Sequence, residues 1–351
     1  MSGSEEPPSM EHNQDDTVAA IEPDTYSDEG YDSASISSDL TSLKSSVMNY
    51  EYENGRRYHG YQAGKYMLPN DDKEQERLDV LHHVFRLTLG GALCRTAPEL
   101  NDPDMILDIG TGTGIWAVDM GDEFPSAEII GTDLSPIQSS WVPPNVRFQI
   151  DDATQEWAFP PDSFDFIHAR GLAGSIRDWP ELLRQAYIHL KPGGRIELSE
   201  GRPHMCCDDN TYSEDSATYK WVSEFYRISR GAGLEFDMFP QYSDLLKDAG
   251  FVNVQTDEKP TPIGTWPKNK SLKQIGLFFE HQFLEGAVDG YSLALFTRLG
   301  GWSEAETQVL LAQAMALIPF VLEALMLVEL ASTYMLTAHS SYATAQKPLA
   351  S

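Results

Sequence analysis

Ile106-Leu107-Asp108-Ile109-Gly110-Thr111-Gly112-Thr113-Gly114-Ile115 is the stretch on which the fold of this 351-residue chain turns. It opens inside a short apolar run, Met105–Ile109, of the kind that forms a buried strand. Glycines at 110, 112 and 114 stop the run, and Ile115–Met120 reads as the opening of a helix. Glycine lets a backbone pass close to a ligand in dihedrals that a side chain forbids. A glycine-rich strand-to-helix turn alone is common to many nucleotide-binding folds. Three details narrow it. The spacing is G-x-G-x-G rather than the G-x-G-x-x-G of dinucleotide binding. Asp108 stands two residues before the first glycine, where a carboxylate repels a pyrophosphate and attracts an ammonium or a sulfonium. The next strand ends in Asp133, 25 residues beyond Asp108, where a carboxylate can accept hydrogen bonds from both hydroxyls of a ribose.

Outward from this turn, strand and helix signals alternate. Glu128–Leu134, Val146–Ile150, Phe164–Ala169, Arg195–Ser199 and Phe251–Gln255 read as further strands. Trp179–Leu190 reads as a helix stopped by Lys191-Pro192-Gly193-Gly194, and Tyr242–Ala249 as a helix ended by Gly250. The alternation predicts an α/β fold, a parallel sheet with helices on both faces. In open sheets of this kind ligands lie at the carboxyl ends of the strands. The candidates that fall there are Asp108, Gly110, Thr111, Gly112, Gly114, Asp133, Leu134, Asp152 and Ala153. Asp152 is expected to accept from the exocyclic amine of an adenine, whereas Asp151, its strand neighbour, is expected to face solvent.

Upstream, Asn70-Asp71-Asp72 reads as a helix start with acids in the first turn. Leu78, Leu81, Val84, Phe85, Leu89 and Leu93 follow at helical spacing, ending near Gly90-Gly91. The segment Tyr58–His83 lacks strand alternation and is expected to close over the ligand. In that reading Gly64 is a hinge, Tyr66 offers a ring and a hydroxyl, and Arg77 pairs with a ligand carboxylate. A packing helix without ligand contact is the alternative.

Composition sets limits. With 25 Lys+Arg against 54 Asp+Glu, the net charge is −29. Such a surface repels phosphate backbones and anionic membranes, so neither nucleic acid nor membrane is an expected partner. Cys94, Cys206 and Cys207 suggest no disulfide framework, and the adjacent pair lacks zinc spacing, so no metal is expected. A reducing compartment, cytoplasm or nucleus, follows. The first ten residues lack the basic and apolar regions of a signal peptide. Residues 1–40 contain eleven acids and no Lys or Arg, and residues 1–48 are expected to be a disordered acidic tail. Ile318–Ala338 is apolar and long enough for a membrane span, but Glu323 and Glu329 oppose one, and a buried or oligomer-forming helix is expected there. Tyr342–Lys347 is a weak candidate for a final strand.

The order Asp108–Gly114, Asp152-Ala153, Phe164-Asp-Phe-Ile-His-Ala-Arg170 and Leu190-Lys-Pro-Gly-Gly194 resembles the motif order of class I methyltransferases. Longer strings are similar to the fungal LaeA-like methyltransferases: Tyr61-Gln-Ala-Gly-Lys-Tyr-Met-Leu-Pro-Asn-Asp71, Arg77-Leu-Asp-Val-Leu-His-His83, Gly112–Met120, Asp133-Leu-Ser-Pro-Ile-Gln138 and Asp178-Trp-Pro180. The resemblance runs from about Tyr50 to about Trp302. It implies a Rossmann-like seven-stranded sheet, S-adenosyl-L-methionine as methyl donor with Arg170 among the site residues, and a role in fungal secondary metabolism. It also implies two kinds of member: enzymes that methylate small metabolites, and nuclear regulators that assemble with velvet-type protein partners. The expected division is a tail over 1–48, an N-terminal lid and helix over 49–100, and a methyltransferase domain over 101–351 with a cap inserted at about 202–240.

Methyl transfer is a displacement at an activated carbon, so alignment matters most. A base is needed only for a poorly nucleophilic acceptor. His82, His83, His168 and His204 are the candidates, each more often structural, and His204, after the fifth strand, is the first choice. The acceptor pocket is expected from Tyr212, Tyr219, Trp221, Phe225, Tyr226, Phe236, Met238 and Phe239, which equally suit the core of a cap.

Overall fold

The structure is a computed structural model and describes residues 50–61, 66–207, 212–316 and 336–350. The expected tail over 1–48 and the apolar segment as far as residue 335 lie outside the described residues.

The described chain opens with a hairpin of β1 (Glu51–Glu53) and β2 (Arg56–Tyr58), then enters α1 (Asp72–Thr88). Asp71 caps that helix, its side chain accepting from the Glu74 amide. The hairpin is tied to the helix start by Arg56, whose Nε and Nη2 donate to the two Asp71 oxygens at 2.6 and 3.0 Å.

β3 (Met105–Ile109) runs through the glycine turn into α2 (Ile115–Glu123). β4 (Glu128–Asp133), β5 (Val146–Ile150) and β6 (Phe164–Arg170) follow, then α3 (Trp179–His189) and β7 (Leu190–Cys207). After α4 (Ala217–Gly231) and α5 (Phe239–Asp248) come β8 (Val252–Pro262), α6 (Lys270–Gln282), α7 (Val288–Ala294), α8 (Glu304–Ala316) and β9 (Leu336–Gln346). The sheet has seven strands in the order β5-β4-β3-β6-β7-β9-β8. All neighbours are parallel except β9, which enters antiparallel between β7 and β8. The chain builds outward from β3 to β5, then crosses back to β6 on the other side. This reversal opens a crevice at the carboxyl ends of β3 and β6.

Strand alternation sorts the core. Ile106, Ile129 and Phe166 face Trp116, Met120 and Leu93 on one side of the sheet. Leu107, Ile109, Ile130 and Ile167 face Leu183, Ala186, Tyr242 and Leu246 on the other. A third core lies apart: Trp221 and Phe225 of α4 pack with Phe283, Val288, Phe296 and Leu311. The cap is therefore larger than an insertion at 202–240. Its second half comes from α6, α7 and α8, between β8 and β9. Two π-helical turns, Phe283–Ala287 and Leu295–Leu299, interrupt these helices.

Two expectations need correction. Lys191–Gly194 ends α3 as expected, but pairing resumes at once, since Leu190 is already opposite Phe164 across a register shift. Residues 336–338, expected to close an apolar helix, instead begin β9, where Leu336 pairs with Cys207. The final strand starts six residues before Tyr342. Among the described residues no helix is long and apolar enough to cross a membrane, and no cluster of metal-binding side chains is present.

Candidate functional site

Side chains from the carboxyl ends of β3, β4, β5 and β6 line one cleft that encloses about 1380 Å³ of unfilled space, its open mouth included. Every expected ligand-site residue except Gly114 lines it: Asp108, Gly110, Thr111, Gly112, Asp133, Leu134, Asp152, Ala153, Arg170, Tyr66 and Arg77. Gly114, buried, caps α2 in a left-handed conformation with φ of 82°. A Cβ there would overlap the Phe148 ring, and one at Gly110 would overlap Leu172. At both positions glycine lets a neighbouring side chain, Leu172 or Phe148, pack directly against the backbone of the turn.

Asp133 is held at the tip of β4. Its Oδ2 accepts from Gly112 N at 2.8 Å and its Oδ1 from Ser135 N at 2.8 Å. Burial nevertheless pushes its carboxyl up to about 6, against those amides and helped by the nearby charge of Asp108. Asp108 is buried with both oxygens engaged: Thr111 Oγ1 donates to Oδ2 at 2.6 Å, and His168 Nδ1 is hydrogen-bonded to Oδ1 at 2.7 Å. The His168 ring stacks on Trp116 at 3.8 Å between centroids. Asp152 is buried, and its Oδ1 accepts from the amide and hydroxyl of Thr154. Asp151, expected to face solvent, is half-buried and lines the cleft too.

The helix α1 lies along the mouth. Tyr66, Leu68, Asn70, Arg77, Leu78 and Leu81 face the cleft from this side. Asn70 Nδ2 donates to Ser135 Oγ at 3.3 Å, and Thr113 Oγ1 donates to Asp79 at 2.6 Å, so the helix is fastened to the β4 and glycine loops. Asn70 and Ser135 stood within the quoted strings Tyr61–Asp71 and Asp133–Gln138 but were given no role at the site. Arg77 departs from its expected role. It is buried with its fork on Glu74, at 2.7 and 2.9 Å, and a further bond to Gln282 at 3.2 Å. That guanidinium already has its carboxylate. Arg170 donates to His82 Nδ1 at 3.1 Å, and no carboxylate among the described residues pairs with it.

The four histidines resolve into structural roles. His82 uses both ring nitrogens, accepting from Arg170 and donating to Asp119 at 3.1 Å, and burial lowers its pKa. His83 is exposed with its ring edge-on to Phe278. His168 belongs to Asp108. His204 is exposed and lines neither this cleft nor the one beside it, so the structure does not bring the first-choice base to the site.

That neighbouring cavity encloses about 900 Å³. Trp221, Phe225 and Phe236 line it as expected, whereas Tyr212, Tyr219, Tyr226, Met238 and Phe239 do not. Phe279 of α6, Phe283 of the π-helical turn that follows it and Tyr291 of α7 complete its wall. The polar residues there are Arg77, Gln282, Arg202 and Glu200. Glu200, buried within β7, went unsingled in the sequence because the strand was expected to stop at Ser199. Its Oε1 accepts from Leu172 N at 3.0 Å, Ala173 N at 3.1 Å and the Tyr242 hydroxyl at 3.0 Å. Burial pushes its carboxyl up to about 7 despite these donors.

Residues 80–256 match the methyltransferase domain family. The chain is 44% identical to methyltransferase pytC of Aspergillus terreus, over 84% of this chain and 90% of that protein. It is 39% identical to the secondary metabolism regulator LAE1 of Cochliobolus heterostrophus, over 71% of this chain and 82% of that one. Among solved structures, Haemonchus contortus phosphoethanolamine N-methyltransferase 2, in complex with phosphomonomethylethanolamine and S-adenosylhomocysteine, is 17% identical with a TM-score of 0.46, over 90% of this chain and 75% of that chain.

Proposed function

The chain belongs to the LaeA-like class I methyltransferases, enzymes that use S-adenosyl-L-methionine, and on that premise we propose that it methylates a small, flat, apolar acceptor held in the second cavity. The observation that carries this reading is the join between the two spaces: Arg77, Leu81, Gly171 and Tyr291 line both. A donor seated in the first cleft has an apolar, aromatic chamber next to it, the lining that suits a planar molecule.

The residues of the first cleft fit such a donor. Gly110, Gly112 and Gly114 all take positive φ and shape the turn at the foot of the cleft, whose rim is rich in acceptors for a ligand that carries hydroxyls, an amine and two cationic groups. Asp133 accepts from the ribose hydroxyls, Asp152 from the adenine amine, and Asp108 supplies negative charge beside the ammonium. Gly110, Thr111, Gly112, Gly114, Leu134 and Ala153 shape the walls, and Tyr66 covers them. Arg170 takes the donor's carboxylate in place of Arg77. The bound donor supplies a methyl carbon already activated by its sulfonium. What this chain adds is alignment and exclusion of water, an effect on the order of 7–11 kcal/mol where geometry is near attack. The division into a tail (1–48), a lid (49–100) and a catalytic domain (101–351) follows the same reading, with the cap extended to α6–α8. The described cysteines, Cys94 and Cys206, are both free, in keeping with cytoplasm or nucleus.

The test is label transfer. The full chain with methyl-labelled S-adenosylmethionine and hydroxylated naphthalenes or coumarins is expected to put label into an organic-extractable product. Label appearing in protein alone overturns the small-molecule reading. That outcome would favour a second one, a regulator working through protein partners, which the LAE1 relative and the acidic N-terminal composition support.

A further inference from the structure

We infer that Glu200 takes the acceptor's proton during transfer, and that the acceptor therefore presents a hydroxyl on a flat ring. The inference rests on the small-molecule reading above and adds to it the group that does the proton chemistry. Glu200 is the single carboxylate among the described residues lining the second cavity, and no histidine lines it.

The geometry leaves one oxygen for the task. Oε1 is taken by the Leu172 and Ala173 amides and the Tyr242 hydroxyl. Oε2 has no hydrogen bond from any described residue. The Leu172 side chain lines the donor cleft while its amide holds Glu200, so the carboxylate stands one residue from the space where the donor sits. Gly171, beside it, lines both cavities.

The surrounding charges are already matched. Arg202, on the same strand, is clamped by Asp237, with two bonds of 2.8 Å, and by Glu258 at 2.7 Å. Arg77 of α1 is held by Glu74, and Tyr291 of α7 lies beneath its guanidinium, 5.4 Å from it. Tyr242 of α5 donates to Glu200 itself. Among the described residues no cation pairs with Glu200. Burial is thus the dominant influence, and it holds the carboxyl at about 7, close to the pH at which a cytoplasmic or nuclear base must work.

The step balances without another reagent. The acceptor oxygen forms a bond to the methyl carbon, the carbon–sulfur bond breaks, and its electron pair stays on sulfur as the sulfonium becomes a thioether. The hydroxyl proton passes to Glu200 Oε2 and leaves to water with the product. A phenol or enol suits this, because its hydroxyl is acidic enough for a carboxylate raised to about 7 to assist and a flat ring suits a wall lined by Phe225, Phe236 and Phe283.

The experiment uses 1-naphthol and the full chain saturated with S-adenosylhomocysteine, so that binding is read without turnover. Fluorescence titration is expected to show naphthol bound about tenfold tighter at pH ~8.5 than at pH ~5.5, the scale of a hydrogen bond to an ionised acceptor. Glu200→Gln keeps an acceptor for the two amides and is expected to fold, to bind S-adenosylhomocysteine as before, and to lose that dependence. Asp133 and Glu280, the other carboxyls raised by burial, are common to both proteins. With S-adenosylmethionine, Glu200→Gln is expected to cut kcat for naphthol by at least ~100-fold, the ordinary worth of a positioned base. Tyr242→Phe removes a hydrogen bond that lowers the Glu200 pKa, so the pH limb is expected to move upward. A purely structural Glu200 would leave the limb in place in all three proteins and the rate intact in Glu200→Gln, and would overturn the inference while leaving the methyltransferase reading standing. Failure of the wild-type chain to bind or methylate naphthol while it methylates an apolar amine or thiol overturns the hydroxyl assignment. Label entering protein alone overturns the small-molecule reading itself.

Discussion

Asp133 shows how a single carboxylate ties cofactor affinity to pH. Its carboxyl, raised to about 6 by burial, is partly protonated in mildly acidic solution, and only the ionised form accepts from two hydroxyls at once. Binding the donor therefore pulls this pKa down. Affinity is fully present above about 6 and falls as pH drops through it. Calorimetry with S-adenosylhomocysteine across that range is expected to show the loss, and Asp133→Ala is expected to weaken binding by at least ~1.5 kcal/mol and flatten the profile. An unchanged affinity removes Asp133 from the site. At this scale the sequence was readable where position dictated role, since Asp108, Asp133 and Asp152 fall within two residues of the carboxyl ends of β3, β4 and β5. It was less readable where a neighbour claimed the side chain. The Glu74–Arg77 spacing of three residues, a pairing distance on a helix, was in plain view, yet the arginine was assigned to a ligand. Glu200 was missed because the strand was expected to stop at Ser199, and nothing in one sequence reveals that β7 runs on and buries the next acid.

Among the elements, α1 carries the largest claim. The stretch from Tyr66 to Leu81 faces the cleft and is fastened to it by Asn70 and Asp79, so the bound donor should hold it closed. Amide exchange with and without S-adenosylhomocysteine is expected to show gained protection over residues 66–83 together with the 108–114 turn. Protection confined to the turn means that α1 merely packs. The hinge assigned to Gly64 falls outside the described residues. The central strands were legible because each is a short apolar run closed by Gly or Asp. The cap was not. Its helices α6 and α7 are broken by π-helical turns that shift the apolar face, so the helical period never accumulates over a long window. β9 reads Leu-Thr-Ala-His-Ser-Ser-Tyr-Ala-Thr-Ala-Gln and is small and polar, yet Ser341 and Ala343 are almost completely buried. A strand sandwiched between two others needs little hydrophobic signal of its own, since its neighbours supply the burial.

Taken whole, the molecule combines a strongly acidic composition with a site whose needs are met by residues beyond position 50. Residues 1–40 contribute eleven acids and no Lys or Arg. Removing residues 1–48 is accordingly expected to leave the melting temperature and the affinity for S-adenosylhomocysteine nearly unchanged, and a fall of many degrees in thermal melting would show that they dock. The placement of β9 bears on how the molecule comes into being. It pairs Gln346 with Arg195 and with Val252, so both of its partners are synthesised long before it and must wait, their facing edges unpaired, until it arrives. Until it arrives, no strand joins the five parallel strands β3–β7 to β8. Contacts this distant along the chain close slowly, and open edges invite pairing with other nascent chains. Biogenesis of this enzyme is thus gated by its last strand, and a chaperone that shields β7 and β8 at the ribosome would raise the yield of active protein more than one acting on the glycine turn.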